Sequence, residues 1–299
     1  MKAGSLSHRS IIYDRVLSRG FLFIGMSCLA VLMLIMLFLF KEGLPLFKTV
    51  GINDFLLGDA WYPTSAPERY GAFPLIIASL FVTLLASLIA VPLSVSLAVY
   101  LSELAHPVVR EIVKPVIEII ASIPSVVIGF FGMVVLAPWM QETFRLNSGL
   151  NVLNAAIMLA FMAVPTIASI SEDALSSVPL SLKEGSYALG ANRWQTIRHI
   201  TVPAALSGIW TAIILGVSRV IGETMVVLMV AGGAAIIPWS PFDPARPLTA
   251  NIAAEMAEAP YGSTHYHALF AIGILLFFLT MFFNVVAGFL SDKYQFKES

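Results

Sequence analysis

The sequence predicts an all-α integral membrane protein that crosses the bilayer about six times. Of its 299 residues, 58% are hydrophobic and only 12% are charged, and the mean hydropathy is +0.88. A soluble domain of this size carries about 25% charged residues. The apolar residues also form long continuous runs, whereas the strands of a membrane β-barrel alternate apolar and polar residues. The bilayer is therefore the expected solvent for most of the chain.

The composition excludes several classes of partner and site. The net charge of −1 leaves no basic excess that would favour nucleic acid. Cys28 is the only cysteine, so neither an intrachain disulfide nor a cysteine metal site is expected. The sequence contains no Gly-x-x-x-x-Gly-Lys-[Ser/Thr] phosphate-binding loop, so ATP binding would need a separate chain. No catalytic residue, cofactor or metal is predicted.

Six apolar runs have the length that a spanning helix needs, about 20 residues. The first, residues 21–40, is expected to be retained as a helix because it is longer than the apolar run of a signal peptide and no cleavage site follows it. The other five lie within a predicted helical core, residues 72–290. They are 72–101, 115–138, 152–170, 207–233 and 266–290.

The distribution of Lys and Arg predicts the orientation. With the N-terminus inside, eleven of the 17 Lys and Arg residues fall in interior segments and five in exterior ones, as the positive-inside rule requires. This places cytoplasmic tails at 1–20 and 291–299, a periplasmic loop at 41–71 and a cytoplasmic loop at 171–206. The exterior loops are rich in Trp, Tyr and Pro, which favours either anchoring at the membrane interface or docking of an external protein.

The cytoplasmic loop is patterned as two short helices. Gly190 is a natural C-terminal stop for the first helix, and Asn192 with Gln195 forms a capping-box pattern for the second. Apolar side chains on this helical pair favour docking of a cytoplasmic protein, and packing against the protein's own bundle is the alternative. These apolar residues are Leu189, Trp194 and Ile197.

Two charged residues, Arg219 and Glu223, lie inside the fifth predicted span, 207–233. They are four residues apart, so on one helix they would share a face and pair. A charge at the bilayer centre costs about 2.5–3.5 kcal/mol on insertion scales, so both are expected to face the bundle interior or a wet path. The planar fork of Arg suits phosphate or carboxylate oxygens, which favours an anion path in which Glu223 balances the charge of Arg219. A buried ion pair that only holds helices together is the alternative.

Other polar residues have simpler interpretations. Lys114 and Glu118 are four apart at the start of the third predicted span and are expected to pair. His265 and His267 would bind metal only with a third ligand, and none accompanies them in the sequence. The acidic residues of the same exterior loop are expected to form a solvated face. These are Glu255 and Glu258.

The cytoplasmic loop also carries a degenerate form of the EAA motif of bacterial ABC-importer permeases. Small residues replace the two alanines of the motif, and Val202 replaces its leucine. In that family this loop is the coupling helix, which seats in a groove of the ATPase subunit. By this resemblance the ATPase-coupling residues of the chain are Glu184, Gly190, Ile200 and Pro203.

The fifth predicted span resembles a more specific signature. Arg-Val-Ile-Gly-Glu-Thr at 219–224 is similar to the R-x-I-G-E-T motif of phosphate ABC-transporter permeases. The resemblance runs from about residue 40 to the C-terminus. It implies a bundle like that of type I ABC importer permeases, in the bacterial inner membrane, with a translocation path at Arg219 and Glu223. Three further stretches are similar to the PstC-type subunit: 41–47, 61–63 and 123–132.

The family implies both a function and a set of partners. The chain would be a permease subunit that moves inorganic phosphate while a partner chain hydrolyses ATP. The implied partners are a PstB-type ATPase, a second, PstA-type permease, a PstS-type phosphate-binding protein and membrane lipid. Two alternatives stay open: a secondary transporter or channel for an anion, and an ABC permease for another oxyanion. An arginine alone does not distinguish phosphate from sulfate.

Overall fold

The computed structural model of the chain describes residues 8–293. Residues 1–7 and 294–299, which belong to the two predicted tails, lie outside the described residues. Within 8–293 the chain forms fourteen α-helices and one antiparallel hairpin, with short 3₁₀ or π turns between some of them. The elements are α1 (His8–Gly43), α2 (Ile52–Leu57), β1 (Trp61–Tyr62), β2 (Arg69–Tyr70), α3 (Phe73–Val99), α4 (Pro107–Ala121), α5 (Ser125–Phe131), α6 (Ala137–Phe144), α7 (Val152–Ser176), α8 (Leu180–Ala188), α9 (Arg193–Thr196), α10 (Val202–Ala204), α11 (Leu206–Ile221), α12 (Met225–Val230), α13 (Leu248–Glu255) and α14 (Thr264–Lys293).

The described helices confirm an all-helical membrane fold with about six spans. Five helical segments are long and apolar enough to cross a membrane. A sixth span forms when the segments Arg193–Ala204 and Leu206–Ile221, which meet at a 67° bend, count as one. The five straight spans are Leu17–Lys48, Phe73–Leu104, Ser125–Phe144, Val152–Ser176 and Thr264–Val286.

The first span lies at the edge of the bundle. Helix α1 begins at His8, so it extends into the predicted tail 1–20. None of the most apolar window of this span is buried within the chain. The helix approaches α14 near its own C-terminal end, where the ring centroids of Phe38 and Phe270 are 5.6 Å apart. Lipid or another chain must cover the rest of its apolar surface.

The centre of the bundle is the contact between α3 and α7, with α11 packed beside them. Small side chains let these helices approach closely, as is usual where helices meet in a membrane. Gly216 on α11 lies so close to Ile167 on α7 that a Cβ atom at position 216 would overlap the isoleucine. The alanines of α3 and α7 that are completely buried at this contact include Ala78, Ala86, Ala155, Ala156 and Ala163.

The third predicted span, 115–138, is wrong as a single helix. Helix α4 ends at Ala121, and α5 begins only at Ser125, after Pro124 in an extended conformation. Proline lacks the N–H that would continue the helix and disfavours helical geometry in the residue before it. The resulting break separates α4, which packs along α7, from the span Ser125–Phe144.

Two ends of the bundle differ in their side chains. The basic end is defined by Arg110, Lys114, Lys183 and Arg193, which lie near the C-terminal ends of α3 and α7. The aromatic end is defined by Trp61, Tyr62, Trp239 and Tyr261. At the aromatic end the β1–β2 hairpin pairs Trp61 with Tyr70, and a second apolar cluster joins this hairpin to α13 and α14 through Leu248 and Leu269.

Candidate translocation and coupling sites

The fifth predicted span, 207–233, is interrupted at residues 222–224. Helix α11 ends at Ile221, and α12 begins at Met225. Glu223 stabilises the second helix, because its Oε1 accepts hydrogen bonds from the backbone N–H groups of Met225 and Val226 at 3.1 and 3.4 Å. The carbonyl of Glu223 accepts a further bond from Thr249 Oγ1 of α13, at 2.7 Å. These three hydrogen bonds of Glu223 therefore stabilise the break between α11 and α12.

The expected pairing of Arg219 with Glu223 is wrong. The helix ends between the two residues, and the Glu223 carboxylate is directed to the backbone of α12. Arg219 instead donates a hydrogen bond from Nη1 to Thr166 Oγ1 on α7, at 3.1 Å. Among the residues that the structure describes, no carboxylate forms a salt bridge with Arg219.

Helix α11 is held in place on two sides around Arg219. On one side Gly216 allows the close approach to Ile167 of α7. On the other, Ser218 Oγ donates to Asn284 Oδ1 of α14 at 2.6 Å. A guanidinium carries five N–H donors, and a neutral hydroxyl is the partner of one of them. The exposed side chain of Arg219 thus presents a positive charge and free donors, which is the chemistry that binds an oxyanion.

The loop between α7 and α11 has the two-part structure that the sequence predicts, with a difference in which residues it exposes. Gly190 ends α8 with φ of +84°, a left-handed conformation that favours glycine. The capping box of Asn192 and Gln195 is confirmed. Leu189 and Trp194 are exposed, 91% and 61%, as expected. Ile197 was expected on the same surface, but it is buried, because it lies with Thr196 on the inner side of the helical stretch Arg193–Ala204.

The four residues matched to the EAA motif fall on both sides of this loop. Glu184 and Gly190 are exposed on and just after α8, whereas Ile200 and Pro203 are half-buried near α10. The loop is tied to the end of α3 by Glu103: its carboxylate is 2.6 Å from Lys183 Nζ. The exposed part of the loop is therefore fixed to the end of α3 through an anchored base, the ion pair of Lys183 with Glu103.

Sequence reasoning missed a charged cluster at the basic end. The side chain of Glu172, at the end of α7, is 1% exposed and contacts both Arg110 and Lys114 of α4. Lys114 Nζ also lies 2.6 Å from Asp173 Oδ1. The expected pair of Lys114 with Glu118 is therefore wrong. Glu172 and Asp173, just after the apolar run 152–170, were the sequence signal for this cluster. Their basic partners could not be predicted, because they lie about sixty residues away in the sequence.

At the aromatic end, Glu255 is a hydrogen-bonding centre, which corrects its expected place on a solvated face. Its carboxylate accepts bonds from Trp61 Nε1 at 2.9 Å and Arg246 Nη1 at 2.7 Å, and it lies 2.9 Å from His265 Nε2. Glu258 is exposed, as expected. These contacts border a cavity of about 590 Å³. Within the described part of the chain no group of three potential ligands is arranged to hold a metal.

The β1–β2 hairpin beside this cavity has its own polar contact. The hydroxyl of Tyr70 donates to Glu68 Oε2 at 2.7 Å. Burial, and then the hydrogen bond to Glu68, raise the pKa of Tyr70 above its usual range. The phenol therefore stays protonated and neutral at any physiological pH.

Comparisons with known proteins agree with this architecture. The family described as "Binding-protein-dependent transport system inner membrane component" matches residues 90–295. Among solved structures, a chain of a bacterial ABC transporter involved in the import of the acidic polysaccharide alginate superposes with a TM-score of 0.62 over 94% of this chain and 98% of that one, at 16% identity. A chain of the MetNI methionine ABC transporter gives a TM-score of 0.58 over 73% and 94%, at 21% identity.

Curated relatives extend over most of the sequence. A probable ABC transporter permease, YqgH of Bacillus subtilis, is 41% identical over 87% of this chain and 84% of its own length. The phosphate transport system permease proteins PstC of Haemophilus influenzae and Mesorhizobium japonicum are 34% and 33% identical, over 81% and 84% of this chain and 82% of each relative. The chain belongs to the inner-membrane components of binding-protein-dependent transport systems: it is the multi-pass permease component of an ABC importer, not its ATPase.

Proposed function

We propose that this chain is the PstC-type permease subunit of an ATP-driven importer of inorganic phosphate. The observation that carries the proposal is Arg219, a cation at the end of a membrane helix whose partner is a neutral hydroxyl. It stands in the stretch 219–224 that resembles the signature of phosphate permeases. The names of the PstC relatives support phosphate as the cargo.

Arg219 binds the anion in this mechanism, and Glu223 shapes the path beside it. A guanidinium stays protonated and holds two oxygens of a phosphate at once. Because Glu223 is engaged with the start of α12, Arg219 has no fixed counter-ion among the residues that the structure describes. Its negative charge near the path keeps the anion from being held too tightly, and a transporter must release what it binds.

The exposed part of the loop, at α8 and α9, contacts a PstB-type ATPase. Leu189 and Trp194 supply the apolar contact, and the anchored base near Glu103 transmits the motion to α3. The basic end then faces the cytoplasm, in line with the positive-inside rule, as do the tails 1–20 and 291–299. A second, PstA-type permease completes the path, and a PstS-type phosphate-binding protein docks at the aromatic end.

The test is phosphate uptake by the assembled importer. The chain is produced with its ATPase, second permease and binding protein, and radiolabelled phosphate uptake is measured in vesicles that contain ATP. Arg219→Gln should lower uptake at least a hundredfold, since it removes the charge, while the complex still assembles. Arg145→Gln is the matched control, because Arg145 is an exposed arginine at the C-terminal end of α6.

Three results would contradict the proposal. Normal uptake by Arg219→Gln would remove the anion path. Uptake of sulfate rather than phosphate would identify a permease for another oxyanion. Anion movement by this chain alone, without ATP or an ATPase, would place it among secondary transporters or channels.

A further inference from the structure

Thr166 bonds to another helix, as Ser218 does, whereas several hydroxyl residues of the transmembrane helices bond within their own helix. Ser79, Ser94 and Thr280 each donate to a backbone carbonyl of their own helix, at 2.9, 2.6 and 3.0 Å. Such back-bonding is the usual way to satisfy a hydroxyl inside a membrane helix. Thr166 Oγ1 instead accepts a bond from Arg219 Nη1 of another helix. In the described part of the chain this is its one hydrogen bond, so its own proton is left to donate.

The packing of α7 against α11 explains why these two side chains meet. Thr166 precedes Ile167, and Ile167 is the residue against which Gly216 packs. Arg219 follows Gly216 by three residues, which is nearly one turn, so it lies on the same side of α11. Because the glycine brings the two helices together, the hydroxyl is within reach of the guanidinium.

We infer that Thr166 is the positioning residue of Arg219 and the second donor to the transported oxyanion. The hydroxyl oxygen fixes one N–H of the guanidinium, and the hydroxyl proton is directed to the same anion that the other N–H groups bind. A tetrahedral oxyanion such as phosphate offers neighbouring oxygens to both donors and would bridge α7 and α11. This inference rests on the proposed function, because it assigns a second residue to the same anion site.

A hydroxyl suits this position better than a charged partner would. A carboxylate at residue 166 would neutralise Arg219 and compete with the anion, just as Glu172 forms ion pairs with Arg110 and Lys114 at the basic end. A neutral acceptor orients the guanidinium and leaves its charge intact. The pair therefore combines a fixed geometry with a full positive charge, and both features strengthen anion binding.

The experiment replaces Thr166 in the complete importer and measures the maximal rate of phosphate uptake with saturating binding protein. Thr166→Val keeps the shape of the side chain and removes the hydroxyl, so uptake should fall about tenfold, the value of one hydrogen bond to a charged group. Thr166→Ser restores the hydroxyl and should stay within about twofold of the unaltered protein. Thr280→Val removes a hydroxyl that bonds only within α14 and should leave uptake unchanged.

The outcomes separate this inference from the proposed function. A tenfold loss in Thr166→Val with recovery in Thr166→Ser, and with unchanged assembly and thermal stability of the complex, supports it. Normal uptake by Thr166→Val, or an equal loss in both variants, overturns it. If Arg219→Gln abolishes uptake while Thr166→Val is normal, only the role of Thr166 fails. If Arg219→Gln transports normally, the proposed path and the role of Thr166 fail together.

Discussion

Glu172 and Arg219 are both charged residues on helices of the bundle, but they differ in their burial and in the charge of their partners. Glu172 is almost completely buried, contacts Arg110 and Lys114, and accepts a further bond from Ser176 Oγ at 2.8 Å. Arg219 is exposed within the chain and has a neutral hydroxyl as its partner. Glu172 is in contact with two opposite charges, whereas no opposite charge of the described residues is in contact with Arg219.

This difference separates a charge that serves the fold from one for which we propose a role in transport. A buried carboxylate with two cationic partners holds α7 to α4, and removing it leaves those cations without compensation. A cation without a counter-ion contributes little to the fold, so its retention in a membrane protein needs another reason. In this chain the reason that we propose is anion binding.

The largest expected effect tests this contrast on stability. Glu172→Gln removes the charge that Arg110 and Lys114 share, and we expect the free energy of unfolding to fall by about 2–3 kcal/mol. Arg219→Gln should change it by less than about 0.5 kcal/mol, because no ion pair is lost. Thermal unfolding of the purified protein in detergent measures both. Equal stability losses in the two variants would break the comparison.

A second pair of substitutions sharpens the comparison within the loop between α7 and α11. Ile197→Ala creates a cavity beneath the loop and should destabilise the protein by about 2 kcal/mol. Trp194→Ala, on the exposed part, should change the stability by less than about 0.5 kcal/mol but weaken copurification of the ATPase. If Trp194→Ala retains the ATPase at wild-type levels under stringent washing, the exposed part of the loop is not the docking contact.

The smallest effect concerns two glycines of the same loop. Gly190 has φ of +84° and Gly185 lies within α8, and a Cβ at either residue would meet no atom within 4 Å. Gly190→Ala should destabilise the loop by about 1 kcal/mol, because an L-residue is strained in the left-handed conformation. Gly185→Ala should instead favour the helix. The ratio of phosphate transported to ATP hydrolysed should fall only for Gly190→Ala, and an equal fall for both would exclude the backbone conformation as the cause.

The parts of the molecule that depend on neighbouring residues in the chain agree with the sequence. Long apolar runs predict membrane spans because hydropathy needs no knowledge of packing. The capping box at Asn192 and the helix end at Gly190 are confirmed because both depend on residues within one or two turns. Pro124 locally predicts a kink in the third span because it removes a backbone donor, but the helix breaks there completely.

The candidate sites agree with the sequence less well, because their contacts join distant segments. Glu255 was expected in solvent, yet Trp61, 194 residues away, donates a hydrogen bond to it. Lys114 was expected to pair four residues along its own helix, yet it pairs with Glu172, 58 residues away. A local spacing rule shows which partners are in reach, and only packing decides which partner is closest.

The sequence alone therefore determined that this protein lies in a membrane, roughly how often it crosses, and that Arg219 has an exceptional position there. Each of these follows from the cost of placing a side chain in lipid, which depends on the residue and its near neighbours. The tertiary structure decided what Arg219 contacts. It breaks the helix before Glu223 and brings Thr166 within 3.1 Å, because close packing at Gly216 sets the distance between α7 and α11.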